Sequence, residues 1–254
     1  MAIIHGTSAG QTLKGGAFAD TIYGLGGDDF LYGYGGNDIL DGGTGIDTMV
    51  GGTGNDIYYV DNQEDHVIEL AGQGTDTIRT STHYQLWWDS NVELLTAANP
   101  LGIEPLFLGG NDSNNRIVGN AGANYIKGEG GADVLLGGAG NDVLNGGAGT
   151  DRLTGGTGKD VFVFPDASRD TIVDFQHGVD KIDLGWWVSD MGGGGNFHFL
   201  GAGSFQHHAG DARFANGLFQ LDVNGDGQAD LSIALTGTLT ASDFVFAAYG
   251  YWDY

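Results

Sequence analysis

From Gly15 onward the chain repeats with a period of nine residues. With Gly15 as position one it reads GGAFADTIY, GLGGDDFLY, GYGGNDILD, GGTGIDTMV and GGTGNDIYY without a slip, after a degenerate GTSAGQTLK. A second array opens at Gly110 as GNDSNNRIV, GNAGANYIK, GEGGADVLL, GGAGNDVLN, GGAGTDRLT and GGTGKDVFV, ending at Val163. A repeat this short restricts the chain to architectures in which each unit stacks on its neighbours. Position eight is apolar in every unit: Leu13, Ile22, Leu31, Leu40, Met49 and Tyr58, then Ile117, Ile126, Leu135, Leu144, Leu153 and Phe162. One inward residue per unit implies a strand of about three residues, because neighbours on a strand face opposite ways. The other six residues form a turn. Two units complete a coil, and stacked coils give an all-β solenoid with two parallel sheets around a thin ladder of position-eight side chains.

The turns account for the composition. Glycine fills 49 of 254 positions, far above a background of about 7%, and only 3 prolines accompany it. Position six carries Asp20, Asp29, Asp38, Asp47 and Asp56, then Asn115, Asn124, Asp133, Asp142, Asp151 and Asp160. Glycine lets backbone carbonyls turn inward and the aspartate adds carboxylate oxygen, which together make a cage for a hard cation. The candidate carbonyl donors are Gly35 and Gly36, Gly51, Gly52 and Gly54, Gly137, Gly138 and Gly140, and Gly155, Gly156 and Gly158. Turns on one edge recur every two units, which sets Asp20 beside Asp38, Asp29 beside Asp47, Asp38 beside Asp56, Asp133 beside Asp151 and Asp142 beside Asp160. The net charge is −24, and the acids are 28 Asp against 5 Glu. Short carboxylates on tight turns point to Ca²⁺, with several structural ions. Without them the stacked carboxylates repel, so folding is expected to be coupled to metal.

Such a charge repels nucleic acid and anionic lipid. The 41% hydrophobic content nevertheless exceeds that of a solvated low-complexity chain. The absence of cysteine removes disulfides, thiolate metal sites and a cysteine nucleophile. No stretch of about 18 consecutive apolar residues suggests a membrane span. The start, MAIIHGTSAG, lacks the basic and apolar regions of a secretory signal peptide. The chain is therefore expected to stay in the cytoplasm or to leave by a route that does not read its N-terminus, and Met1 just before the first repeat favours a complete small protein.

GGTGNDIYY, GGAGNDVLN and their neighbours resemble the RTX nonapeptide GGxGxDxUx of secreted bacterial proteins, over roughly residues 6–60 and 110–163. The resemblance implies a right-handed parallel β-roll, Ca²⁺ held within each edge of turns, and export to the extracellular space by a type I secretion apparatus. Three departures stand out. Asn115 and Asn124 replace aspartate, Phe18 replaces the position-four glycine, and Gln11 occupies a position-six site. Cages at these ends are expected to be weak or empty, although Asn124 stays among the candidate ligands.

The chain divides into a first array over 1–60, a β-strand spacer continuing the roll over 61–109, a second array over 110–164 and a C-terminal region over 165–254. Within the spacer, apolar and β-branched clusters at Val67–Ile68, Thr77–Ile78 and Val92–Leu95 read as strands, and the segment resembles the spacers that join RTX arrays. Trp87–Trp88, placed on a strand, would turn one ring into the core and one over an edge. RDTIVDFQHGVDKIDL, DVNGDGQADLSIAL and LTASDFVF resemble the C-terminal region of serralysin-type proteases, where strands cap the roll and the terminus carries the secretion signal; this chain continues past that point as AAYGYWDY. An uncapped solenoid exposes its last core layer, so a cap is expected on physical grounds too. Asp170, Asp174, Asp180 and Asp183 suit a capping Ca²⁺ or a solvated acidic turn. Asp222, Asn224, Asp226 and Asp230 have the oxygen spacing of an EF-hand loop, with Gly227 at its sixth position, but Ile233 stands where the bidentate glutamate belongs.

Motifs for chemistry are sparse. Gly6–Gly10 matches G-x-S-x-G, yet a nucleophile elbow needs a preceding strand, a following helix and an α/β sheet, so the match reads as accidental. There is no HExxH, and the resemblance to serralysins does not carry proteolysis with it. His198, His207 and His208 offer imidazoles to zinc or copper, although surface histidines in glycine-rich loops commonly hold nothing. Carboxylate pairs for glycoside hydrolysis are uninformative where acids abound, and no nucleotide-binding loop is present. The expected function is a secreted, non-catalytic calcium-binding protein. The alternatives are the secretion and stability module of an exoenzyme, and a surface adhesin or polysaccharide binder using Trp87, Trp88, Trp186, Trp187 and the aromatic tail Tyr249–Tyr254.

Overall fold

The computed structural model describes residues 1–187 and 197–247; the aromatic tail Tyr249–Tyr254 lies outside the described residues. Among those residues the chain is strand and turn, with two 3-10 turns at Gly185–Trp187 and Ala241–Asp243. Among the described residues no helix is long and apolar enough to cross a membrane. One face is a 14-stranded sheet. It begins at Ile3–His5 and passes in parallel through Thr21–Tyr23, Ile39–Asp41, Ile57–Val60, Thr77–Thr80, Leu94–Ala97, Arg116–Val118, Val134–Ala139, Arg152–Thr157 and Thr171–Ile172 to Leu231–Leu235. The other face has a four-stranded sheet, Thr12–Lys14 to His66–Ile68, and a seven-stranded sheet, Tyr84–Gln85 to Phe244–Val245. Alternate nonapeptides feed alternate faces, and the result is a β-solenoid.

Register follows the repeat. Ile22 faces Leu40 and Leu40 faces Tyr58 on one sheet, while Leu31 faces Met49 and Met49 faces Val67 on the other. Position eight therefore stacks on position eight, and from Ile22 to Tyr58 and Ile117 to Phe162 all these side chains are fully buried. Leu13, in the degenerate first unit, only packs against the edge of this core. Four strands, two on each face, are longer than the period suggests. Phe30–Gly35, Thr48–Thr53, Val134–Ala139 and Arg152–Thr157 span six residues each, because their turns pair as well, for example Tyr34 with Gly52.

Strands from residues 61–109 join the same sheets, with Tyr58 opposite Ile78, Ile78 opposite Leu95 and Leu95 opposite Ile117, so the coil length here departs from the regular 18-residue spacing. The second face is interrupted between His66–Ile68 and Tyr84–Gln85. Tyr84 Oη and Trp87 Nε1 close this seam by donating to the carbonyl of Asp65 at 3.0 and 3.1 Å. Trp87–Trp88 lie after the strand rather than on it. Trp87 is held by that hydrogen bond and Trp88 is 86% exposed, so the strand alternation expected for the pair does not apply.

After Thr171–Ile172 and Lys181–Asp183 the chain leaves the coil path and returns to it. Ile172 pairs with Leu235 and Ile182 with Phe244. Between these rungs, Asp211–Ala215, Leu218–Asp222 and Leu231–Leu235 form an antiparallel meander that extends the long sheet, and His198–Phe199 adds a parallel edge strand. Phe219, Leu221, Leu231 and Ile233 are buried there, and Phe244 packs among Phe197, Phe199 and Phe219 with ring centroids 4.9 to 5.6 Å apart. The meander covers the last layer of the ladder with apolar surface.

Candidate metal centre

The position-six aspartates share one geometry. Each directs Oδ1 at the backbone N–H of the position-six residue one coil earlier. Asp20 N–H donates to Asp38 at 2.7 Å, Asp29 to Asp47 at 2.8 Å, Asp38 to Asp56 at 2.6 Å, Asp133 to Asp151 at 2.8 Å and Asp142 to Asp160 at 2.9 Å. Position five makes the reverse link: the side chains of Asp28, Asn37, Asn114 and Asn141 accept the N–H of the position-five residue one coil later. The two ladders bind successive turns together and explain the Asn-Asp pair that recurs in the repeat.

Oδ2 is a different matter. In Asp29, Asp38, Asp47, Asp56, Asp133, Asp142, Asp151 and Asp160 this second oxygen is buried without a hydrogen-bond partner. Eight buried carboxylate oxygens without partners would be costly in a dry interior. All eight sit beside the position-one glycine of their own unit: a Cβ on Gly42 would lie 2.2 Å from Asp47 Oδ2, and one on Gly137 2.3 Å from Asp142 Oδ2. Gly24, Gly33, Gly51, Gly128, Gly146 and Gly155 stand in the same relation to their aspartates. The position-one glycines thus provide room, whereas positions two and four adopt positive φ, as at Gly52 (94°) and Gly54 (133°).

Asn124 shows which oxygens converge in such a turn. Its Nδ2 donates to the carbonyls of Asn120, Gly122 and Gly137 at 2.8 to 3.3 Å and to Asp142 Oδ1 at 3.0 Å. Four oxygens surround one donor nitrogen. Where position six is an aspartate there is no such donor, and a hard dication with oxygen ligands fits the set. Burial also shifts the protonation equilibria of these carboxyls. Burial, opposed by the Asp29 N–H and reinforced by the charges of Asp65 and Asp29, pushes Asp47 up to about 7. Burial likewise raises Asp142 to about 7 and Asp56, Asp133, Asp151 and Asp160 to about 6.

The ends differ. Asp20 Oδ2 accepts the Gly16 N–H at 2.8 Å, so the turn containing Phe18 leaves no free oxygen on Asp20. Asn115 is satisfied by the Asn111 N–H and the Val92 carbonyl. Of the C-terminal acids, Asp170 and Asp180 continue the ladder by accepting the N–H groups of Asp151 and Asp160. Asp174 instead takes both the Gly155 and Gly156 N–H groups, and Asp183 accepts that of Gly185. In the 222–230 loop Asp222 binds the N–H groups of Gly225 and Gly227, Asp226 that of Gln228, and Asp230 that of Val223 together with the Asn224 amide. These side chains fold the loop on its own backbone. Ser8 of the G-x-S-x-G match lies in an exposed bend followed by the strand Thr12–Lys14, not by a helix.

The structure also adds acids that the repeat count omits. Asp65 and Asp76 extend the ladder by accepting the N–H groups of Asp47 and Asp56, and Asp76 N–H donates to Glu93. Carboxylate oxygens of Asp56, Glu69 and Asp76 gather within 4.8 Å of one another, all buried. Glu69 is fully buried, accepts from Tyr58 Oη, and is raised to about 7 chiefly by burial. A signal for two of these was present: Asp65-His-Val67 and Asp76-Thr-Ile78 repeat the acid-x-apolar pattern of Asp56-Ile-Tyr58.

Four copies of a family model, the RTX calcium-binding nonapeptide repeat, match residues 5–40, 32–67, 109–144 and 129–162. The chain carries RTX calcium-binding repeats. The matches span the first array and run on to Val67, a stretch that includes Asp65, and they follow the second array to Phe162. RTX repeats of this kind bind calcium, and proteins that carry them are typically secreted. No curated protein matches the chain.

Proposed function

We propose that this chain is an exported, non-catalytic calcium-binding protein whose β-roll folds when it meets Ca²⁺ outside the cell. The observation that carries the reading is the set of eight buried aspartate Oδ2 atoms without a partner. Each faces a glycine-lined cradle, and each belongs to a side chain whose other oxygen already ties two coils together. Bound Ca²⁺ supplies the positive charge that lets these carboxylates ionise side by side. At the low Ca²⁺ of a cytoplasm, repulsion within a chain of charge −24 opposes the thin one-residue-per-unit core, and the chain stays extended enough for a type I secretion apparatus. Higher Ca²⁺ outside reverses that balance.

Far-UV circular dichroism of the EGTA-treated protein during Ca²⁺ titration, with Mg²⁺ as control, tests the proposal. A cooperative coil-to-β transition that Mg²⁺ does not reproduce supports it. A full β spectrum already present in EGTA and unchanged by Ca²⁺ would remove the folding switch. A second reading, contact with surface polysaccharide, is favoured by the exposure of Trp88 (86%) and Trp186 (57%); Trp187 suits it less, since its Nε1 is committed to the Phe164 carbonyl. Glycan-array binding that disappears in Trp88→Ala supports this reading, and no binding to any glycan counts against it.

A further inference from the structure

The meander holds a cluster of a different chemical kind. His198 on the edge strand is the direct partner of Asp211 in the parallel pairing, and His208 precedes Asp211 by one tight turn in which Asp211 N–H donates to the His208 carbonyl at 3.0 Å. Side-chain ligand atoms of His198, His208 and Asp211 all lie within 4.8 Å of one another. His207 does not join them. Its ring lies against Gly227, where an added Cβ would meet its Cε1 at 2.3 Å.

Asp211 is fully buried, and its two oxygens are used unequally. Oδ2 accepts the backbone N–H groups of Gln206 at 2.7 Å and His208 at 3.2 Å, which fixes the carboxylate plane. Oδ1 is buried and has no hydrogen-bond partner. The Nδ1 atoms of both histidines approach that oxygen, His198 at 3.4 Å and His208 at 3.9 Å. Two imidazoles thus converge on one oxygen and neither closes a hydrogen bond to it. Ligands about 2.0 to 2.1 Å from a tetrahedral zinc ion stand roughly 3.4 Å apart, so the His198–Asp211 separation already fits and His208 needs only a small side-chain rotation. Both rings are partly exposed, at 46% and 61%, and cross at 87°, which leaves them free to rotate and open to solvent.

We propose that His198, His208 and Asp211 form a binding site for a transition-metal dication of the zinc class, separate from the oxygen cages of the repeats. Ligand chemistry separates the two. Imidazole nitrogen favours Zn²⁺ and its neighbours, whereas cages of carboxylate and carbonyl oxygen favour Ca²⁺. The fixed Asp211 carboxylate is the kind of supported ligand such sites use, and three protein ligands leave a coordination position for water. A metal here would pin the edge strand His198–Phe199 to Asp211–Ala215 at the end of the long sheet.

The test is isothermal titration of tag-free full-length protein with Zn²⁺ in saturating Ca²⁺, so that the repeat turns are filled before zinc is added. The expected result is one equivalent bound, with affinity at least about tenfold weaker in His198→Ala and in His208→Ala and unchanged in His207→Ala. Co²⁺ in place of Zn²⁺ gives a second readout, the visible absorption of a low-coordinate site, which is lost in the first two variants. Both histidines are exposed enough that their removal leaves the fold intact, to be checked by circular dichroism in Ca²⁺. No zinc binding to the wild-type protein at millimolar Zn²⁺, or equal affinity in all three variants, overturns the proposal. Either result leaves the calcium reading untouched.

Discussion

The backbone N–H of Asp29 donates to Asp47 Oδ1 at 2.8 Å, one coil further on, while Asp47 Oδ2 is buried with no partner. One carboxylate is thereby divided between two tasks. Oδ1 stitches coil to coil as a neutral acceptor would, and Oδ2, left without a partner, is the oxygen that the proposed calcium switch would use. The same division recurs along both arrays, so the acids are structural even before any ion is considered.

Separating the two oxygens is possible by substitution. Asp47→Asn keeps an acceptor for the Asp29 N–H and removes the charge; Asn124 likewise brings no carboxylate to its own turn, where its amide nitrogen donates to the surrounding oxygens. The expected outcome is a folded protein at high Ca²⁺ that binds fewer ions and needs more Ca²⁺ to fold. Asp47→Ala also leaves the Asp29 N–H buried without an acceptor, a further loss of about 1–3 kcal/mol. Bound calcium measured by atomic emission, with thermal melts in Ca²⁺, distinguishes the variants; equal ion counts in wild type and Asp47→Asn would sink this division of labour.

Metal-free protein should respond to acid. The folded carboxyl of Asp47 titrates at about 7 and that of Asp56 at about 6, against 3.8 for the unperturbed group. The folded state therefore holds more protons than the unfolded one between about pH 4 and 7, and stability must rise as pH falls through that window. In EGTA, β signal should grow from pH 8 to pH 5, while Ca²⁺ affinity weakens over the same range because protons and Ca²⁺ compete for the oxygens. A metal-free spectrum independent of pH would contradict the burial of these groups.

The cradle itself can be filled. A Cβ on Gly42 would lie 2.2 Å from Asp47 Oδ2, whereas one on Gly16 meets nothing closer than Asp20 Oδ2 at 3.8 Å. Gly42→Ala is expected to cost about 1–3 kcal/mol through overpacking and to shift the Ca²⁺ midpoint upward. Gly16→Ala should stay within about 0.5 kcal/mol of wild type. Urea denaturation at saturating Ca²⁺ measures both.

The core has one side chain per unit, so each rung is exposed to mutation in the energetic sense. Leu135 is fully buried between Ile117 and Leu153. Leu135→Ala is expected to lose about 2–5 kcal/mol, visible as a lower urea midpoint in Ca²⁺. A loss below about 1 kcal/mol would mean that the coils collapse around the gap.

Much of this was legible in the sequence, and the limits have a physical cause. Each coil touches only its neighbours, so contacts recur at a fixed separation of 18 residues and a nine-residue pattern encodes them directly. That is why the ladder from Ile22 to Tyr58 and from Ile117 to Phe162, and the column of position-six aspartates, could be read without coordinates. Where insertions break the period the encoding fails. Glu69 meets Asp56 and Asp76 because the coil from Tyr58 to Ile78 is longer than its predecessors, and Asp211 meets His198 because an antiparallel excursion returns the chain to the roll.

The sequence by itself determined the β-solenoid, its thin core and its calcium-binding repeats, since periodicity and local side-chain character suffice for all three. Only the tertiary structure decided which oxygen of each aspartate is spent on the backbone and which is left over, and that position-one glycines give room while positions two and four give positive φ. It also decided which histidines converge. Those outcomes depend on the distance between atoms of neighbouring coils or of strands joined by irregular loops, and such distances exist only once the chain has closed on itself.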